Sequence, residues 1–118
     1  MNISLMNQKN QSCIDMCNQC ACACEACCTE CMSMSNTEMS GIMGRCMMMC
    51  RDCASMCMMS SMMICRGSEF AKQMCEMCAT VCDACATECE KMGEKMPACK
   101  ECAEMCRKCA QECRNMMS

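Results

Sequence analysis

Along this chain the recurrent apolar position is held by cysteine. Cys13, Cys17, Cys20, Cys24, Cys27 and Cys31 step by 4, 3, 4, 3 and 4. A second run is Cys46, Cys50, Cys53 and Cys57, a third Cys75, Cys78, Cys82, Cys85 and Cys89, and a fourth Cys99, Cys102, Cys106, Cys109 and Cys113. Alternating steps of three and four keep side chains on one stripe of an α-helix, whereas a strand needs a period of two. Only Cys20-Ala21-Cys22-Ala23-Cys24 alternates that way, and there Cys22 is the odd member while its flanking pair stays on the stripe.

Three breaks separate the runs. Ser33 to Glu38 is polar and carries Ser35 and Glu38 at capping-box spacing. Gly67-Ser68-Glu69 offers a helix stop followed by an N-cap. Gly93 to Pro97 offers another stop, with Pro97 suited to the first turn of the next helix. The pattern predicts helices over about 12–34, 38–66, 69–92 and 97–116. Such short connections favour antiparallel neighbours. The expected fold is all-α: an antiparallel up-down-up-down four-helix bundle with a Cys-lined core, one domain over residues 1–118.

The last two segments are near-repeats, each reading C-x-x-C-A-x-x-C-x-x-C-A-x-x-C, from Cys75 to Cys89 and from Cys99 to Cys113. Segment two shares Cys50-Arg51-Asp52-Cys53-Ala54-Ser55-Met56-Cys57. Ala54, Ala79, Ala86, Ala103 and Ala110, beside the stripe, are small enough to let helices approach closely. Alanine's helix propensity accounts for them almost equally well.

Composition explains why thiols must also fill the interior. The chain has 23 Cys and 22 Met, with no His, Trp or Tyr. The conventional core formers are only Ile3, Leu5, Ile14, Ile42, Ile64, Phe70 and Val81. Cys packs as a small hydrophobe and Met adapts to irregular gaps. Eleven basic and 14 acidic residues are interspersed, with a net charge of −3. Without a basic block or stacking aromatics, nucleic acid is not an expected partner. No apolar run reaches the ~18 residues that span a bilayer, and the N-terminus does not read as a signal peptide. The expected location is the cytoplasm, where thiols stay reduced and Cys clusters more often bind metal than form disulfides.

Four facing Cys stripes admit three readings. Inert packing suits a few buried thiols but not four complete stripes. A disulfide scaffold fits poorly, because helical neighbours on one face have Cβ atoms ~5–6 Å apart and a disulfide wants ~3.5–4.5 Å; pairs between helices stay open to it. Metal is the third reading. Thiolates are soft ligands that select Cu(I), Zn(II) or iron–sulfur clusters. Zn(II) modules present paired Cys from loops or knuckles, and iron–sulfur clusters draw Cys from loops in specific spacings. Cu(I) accepts two thiolates in a near-linear arrangement, which a C-x-x-x-C pair on one helix can supply. Nine such pairs can be counted without overlap: Cys13/Cys17, Cys20/Cys24, Cys27/Cys31, Cys46/Cys50, Cys53/Cys57, Cys78/Cys82, Cys85/Cys89, Cys102/Cys106 and Cys109/Cys113. Cys22, Cys28, Cys65, Cys75 and Cys99 are left over. Cys28, Cys75 and Cys99 are expected as further ligands in sites between helices, whereas Cys65 reads equally well as an unliganded core residue. The expected load is roughly ten or more Cu(I) per chain, by this pairing.

Methionines extend the stripes past their last Cys. Met34, Met39, Met43, Met92 and Met96 would gather at one end of an antiparallel bundle, where neutral thioethers could admit copper and pass it to stronger thiolates. The plainer reading is that they fill gaps. The opposite end would receive Ile3, Leu5, Met62, Met63, Ile64, Phe70, Met116 and Met117 as an apolar plug. Met47, Met48, Met49, Met56, Met58 and Met59 include several off the seam, which would pack between helices or at a subunit interface.

The run from Cys75 to Cys89 and its repeat from Cys99 to Ala110 resemble the bacterial copper storage (Csp) proteins, especially the cytosolic type, and the likeness covers nearly the whole chain. The resemblance implies an antiparallel bundle, Cu(I) held largely by C-x-x-x-C pairs in the core, and a homotetramer. Cytosolic relatives often use His near the open end; this chain has none, and the Met constellation stands in its place. With no nucleophile–base constellation, storage or buffering is expected rather than catalysis. A copper chaperone or an efflux protein is the kind of partner such storage implies. The rivals are a thiol–disulfide redox protein and a metallothionein-like Zn(II) or Cd(II) buffer.

Overall fold

Among the residues described by this computed structural model, 8–34 and 40–116, the 3–4 periodicity is realised as four helices and no strand. They are α1 (Gln8–Ser33), α2 (Ser40–Cys65), α3 (Ala71–Met92) and α4 (Pro97–Asn115). Each packs against its chain neighbour, and α1 closes the ring against α4, giving the up-down-up-down bundle. The body measures 52 × 21 × 19 Å, a slender cylinder along which α1 and α2 each run about 39 Å at the ~1.5 Å rise per residue of an α-helix. No helix of the described residues is long and apolar enough to cross a membrane.

The ends follow local chemistry. After α2 the chain reverses through Gly67, whose φ of 65° suits a residue without Cβ. The Gly67 N–H donates to the Ile64 carbonyl and the Ser68 N–H to that of Met63, the paired bonds of a Schellman stop. α3 then begins at Ala71, two residues later than expected. The Ser68 hydroxyl does accept a backbone N–H, that of Phe70, and the Ala71 N–H donates to the Ser68 carbonyl, so a tight turn precedes the helix. Pro97 opens α4 as expected, after Met96 in extended conformation. α1 starts earlier than expected, at Gln8, and Gln11 bonds to Asp15 one turn on. The Ser35–Glu38 capping box lies outside the described residues.

The core is the cysteine seam. Ala79, Ala86, Ala103 and Ala110 are all buried beside it, as is Ala54, so small side chains line the helix contacts. Outside the seam, Asp83 on α3 is gripped by Arg107 and Arg114 of α4, and Arg107 also bonds to Glu90 and Thr87. This fixes the register of α3 against α4, the two near-repeats.

Candidate metal centre

Each helix carries its stripe on the face turned to the bundle axis, so the thiols stack in layers. Twenty of the 23 cysteines are at most 1 % exposed, and all 23 are free thiols. One layer brings together Cys17, Cys57, Cys78 and Cys109, another Cys24, Cys50, Cys85 and Cys102; in each, all four Sγ atoms lie within 4.8 Å of one another. Between these, Cys20 and Cys53 approach Cys106 at 3.7 and 3.8 Å, and Cys53 approaches Cys82 at 3.6 Å. Toward one end Cys27 lies 3.1 Å from Cys99, and Cys46 lies 3.6 Å from Cys89. At the other, Cys13 and Cys17 lie 3.9 and 4.0 Å from Cys113.

The groups overlap. Cys20 and Cys53 belong both with Cys24 and Cys106 and with Cys57 and Cys82. The site is therefore a continuous column of shared sulfurs rather than a set of closed four-ligand cages. Metal–sulfur bonds of about 2.3 Å set two ligating sulfurs ~3.8–4.6 Å apart, depending on the bond angle, which the observed spacing approaches. Three of the nine C-x-x-x-C pairs come within 3.9 Å along their own helix: Cys78/Cys82, Cys85/Cys89 and Cys102/Cys106. Contacts between helices are as close or closer, such as Cys24–Cys102 at 3.6 Å and Cys50–Cys89 at 3.7 Å. Cys99, unpaired within its own helix, is thus placed beside Cys27 and Cys31.

Packed thiols cannot all ionise alike. A thiolate is favoured by thiols that donate to it, and those donors must keep their protons. The bond between Cys113 and Cys109 lowers Cys109 to about 7 and holds Cys113 well above its ordinary value. At the column's edge, burial pushes Cys28 and Cys31 upward. Ions that replace thiol protons would relieve this competition.

The cysteines off the stripe divide. Cys28 is buried at the flank of the α1 seam, Cys22 is exposed, and Cys65 is also exposed, correcting its reading as a core residue: it follows Ile64, which takes the inward position. Met43, Met92 and Met96 are buried at the Cys31 end of the column. Met34 lies at the same end but is 46 % exposed, beyond the last turn of α1, and Met39 lies outside the described residues. At the opposite end Ile64 is buried and Met116 half-buried, but Phe70 and Met62 face outward, so they do not join the plug; Ile3, Leu5 and Met117 lie outside the described residues. Of the additional α2 methionines, Met47, Met49 and Met56 pack against the core while Met48, Met58 and Met59 stay exposed.

Two residues escaped the reading by cysteine spacing. Glu88, 8 % exposed beside Cys89, bonds to Lys91 at 3.1 Å and faces Arg45 of α2 at 3.4 Å, a charge cluster near the methionine end. Ser60 is fully buried, and the steps 46, 50, 53, 57 continue to it. Continuing the period past the last cysteine was the signal available.

Comparison with known proteins agrees with this geometry. Residues 6–118 match the family model described as Csp, copper storage protein. A structure of the Cu(I)-bound copper storage protein BsCsp3 superposes with a TM-score of 0.85 at 34% identity, covering 94% of this chain and 100% of that one. A cytosolic copper storage protein from Streptomyces lividans, carrying five coppers, gives 0.86 at 31% identity, covering 93% and 92%. The Streptomyces lividans protein loaded with 10 copper equivalents gives 0.86 at 31%, covering 93% and 84%. No curated protein sequence matches. With the family model spanning nearly its whole length and the bundle shared with those structures, this chain belongs to the copper storage protein family.

Proposed function

We propose that this protein stores and buffers Cu(I), holding roughly ten or more ions on the thiolates of its central column by analogy with the donor preferences of soft metals. The observation that carries the reading is the overlap of the thiol groups: neighbouring layers share sulfurs, so bridging thiolates can hold several ions with less negative charge than isolated pairs would accumulate. The ligands proposed are the twenty fully inward cysteines, with Cys28 as a flanking donor. Clasps along one helix and bridges between helices both contribute, since the two kinds of spacing are alike. Storage, not catalysis, is the role: the column holds no nucleophile–base pair.

Met43, Met92 and Met96 form the mouth, with exposed Met34 at its rim and Met39 assigned there by sequence. Soft, neutral thioethers hold Cu(I) loosely and hand it to the layer of Cys27, Cys31, Cys46 and Cys99. The Streptomyces relatives are described as cytosolic, and the same compartment is proposed here, with a copper chaperone or efflux protein exchanging ions at the mouth. The exposed Met48, Met58 and Met59 on α2 suit burial between copies in a homotetramer.

Anaerobic Cu(I) titration of the reduced protein tests the reading. Saturation at about ten equivalents or more supports it, and saturation at one or two defeats it. Preferential retention of Zn(II) or Cd(II) in competition would favour the metallothionein-like alternative, and disulfide reductase activity the redox one.

A further inference from the structure

The column has a floor, and its composition differs from that of every layer above. One step below Cys17, Cys78 and Cys109 lie Cys13, Cys75 and Cys113, and Cys13 meets Cys113 at 3.9 Å. The fourth place in that layer, three residues beyond Cys57 on α2, is Ser60. Its side chain is 0% exposed, and its Oγ finds no hydrogen-bond partner within the protein. Other helix hydroxyls behave differently. Thr80 and Thr87 donate to the carbonyls of Glu76 and Asp83 one turn back, the ordinary outlet for such a group.

A buried hydroxyl left unanswered is costly, and sulfur in a neutral thiol is a poor acceptor. A thiolate is a strong one. We infer that Ser60 is a positioning residue for the innermost copper site: its O–H donates to a metal-bound thiolate of Cys13, Cys75 or Cys113, and oxygen in place of a fourth sulfur makes that site three-sulfur. The inference rests on the copper-storage reading. When Cu(I) binds there, each thiol that becomes a ligand loses its one S–H proton to solvent, whether its sulfur then holds one copper or bridges two, and copper keeps its oxidation state. The hydroxyl proton stays on oxygen and offsets part of the negative charge left on the bridging sulfur. Being a hard donor, the oxygen itself does not ligate Cu(I).

The test compares the wild type with Ser60→Ala, with Cys75→Ser and with the double variant, by stepwise Cu(I) removal with a chromogenic chelator and by thermal unfolding of the metal-free, reduced proteins. In Ser60→Ala a small fraction of the bound copper, on the order of one ion, should be held roughly tenfold more weakly, as expected for loss of a hydrogen bond to a charged acceptor. Total capacity should be unchanged, and the metal-free variant should melt no lower than the wild type. Adding Ser60→Ala to Cys75→Ser should cause no further weakening, which ties the effect to the floor layer. Chelator curves that superpose for Ser60→Ala and wild type would overturn the inference, as would a metal-free variant that is destabilised or fails to fold, since the hydroxyl would then be satisfied without metal. Failure of the wild type to fill the column at all would instead overturn the storage reading.

Discussion

At the scale of single residues the burden falls on sulfur. A cysteine at a stripe position does two jobs: its volume fills the core that leucine would otherwise fill, and its soft donor faces like donors across the axis. Burial raises Cys31 and Cys28 above the ordinary thiol value, so both keep their protons to higher pH. Cu(I) must displace those protons, and below the raised value each pH unit lost costs about tenfold in affinity per proton released. The edge sites should therefore bind more weakly at pH 6 than at pH 8, which chelator competition at the two values would measure; equal affinities would contradict it. Methionine substitution reads the mouth in a different quantity. Changing Met43, Met92 and Met96 together to Leu keeps apolar volume but removes the thioethers, so Cu(I) uptake followed by stopped flow should slow severalfold while capacity stays within about one ion, given the modest strength of such donors.

At the scale of elements, helix existence and pairing were legible because a 4-3 step leaves no competing period. The twenty inward thiols could be read from spacing alone. Ends are less legible: past the last cysteine the period has no marker, and Phe70 and Met62, expected in an apolar plug, both face outward. Ser60 is polar yet holds the next inward position of its stripe, and Cys65, which reads equally well as a ligand or as a core residue, sits at an outward one; position, not residue type, decides both. Packing between helices depends on Ala86 and Ala110, both fully buried. Enlarging either to Leu should destabilise the metal-free protein by about 1–3 kcal/mol through overpacking, measurable by urea unfolding. The α3–α4 ion network adds a pH signature. Burial alone would raise Asp83, but its bonds to Arg114 and Arg107 outweigh that and hold it below the ordinary 3.8. Its contribution is thus present above 3.8 and is lost as pH falls through the lower folded-state value. Replacing Arg107 by Ala should cost at most about 1 kcal/mol at neutral pH, since the pair is partly exposed, and the difference from wild type should shrink in acid.

At the scale of the whole molecule, storage and stability are linked. The aliphatic complement is small, so much of the interior cohesion comes from thiols that can also bind ions. Any ligand that binds the folded chain preferentially raises its melting temperature by mass action. Stepwise Cu(I) loading, followed by calorimetry under anaerobic conditions, should raise the melting temperature progressively across the filling range; a flat response at high occupancy would show that binding and folding are uncoupled here. The cylinder form matters too: the thiols lie in one axial file, and three or four helices contribute to each of the groups described above.

The sharing of Cys20, Cys53 and Cys57 between adjacent groups has a kinetic meaning. Where sulfurs are held in common, an ion can advance by trading one bond at a time and never has to pass through a bare state. On the entry and exit proposed at the methionine end, such a shaft would behave as a stack: the first ions taken in would be the last returned, and the cell would draw first on its most recent deposit.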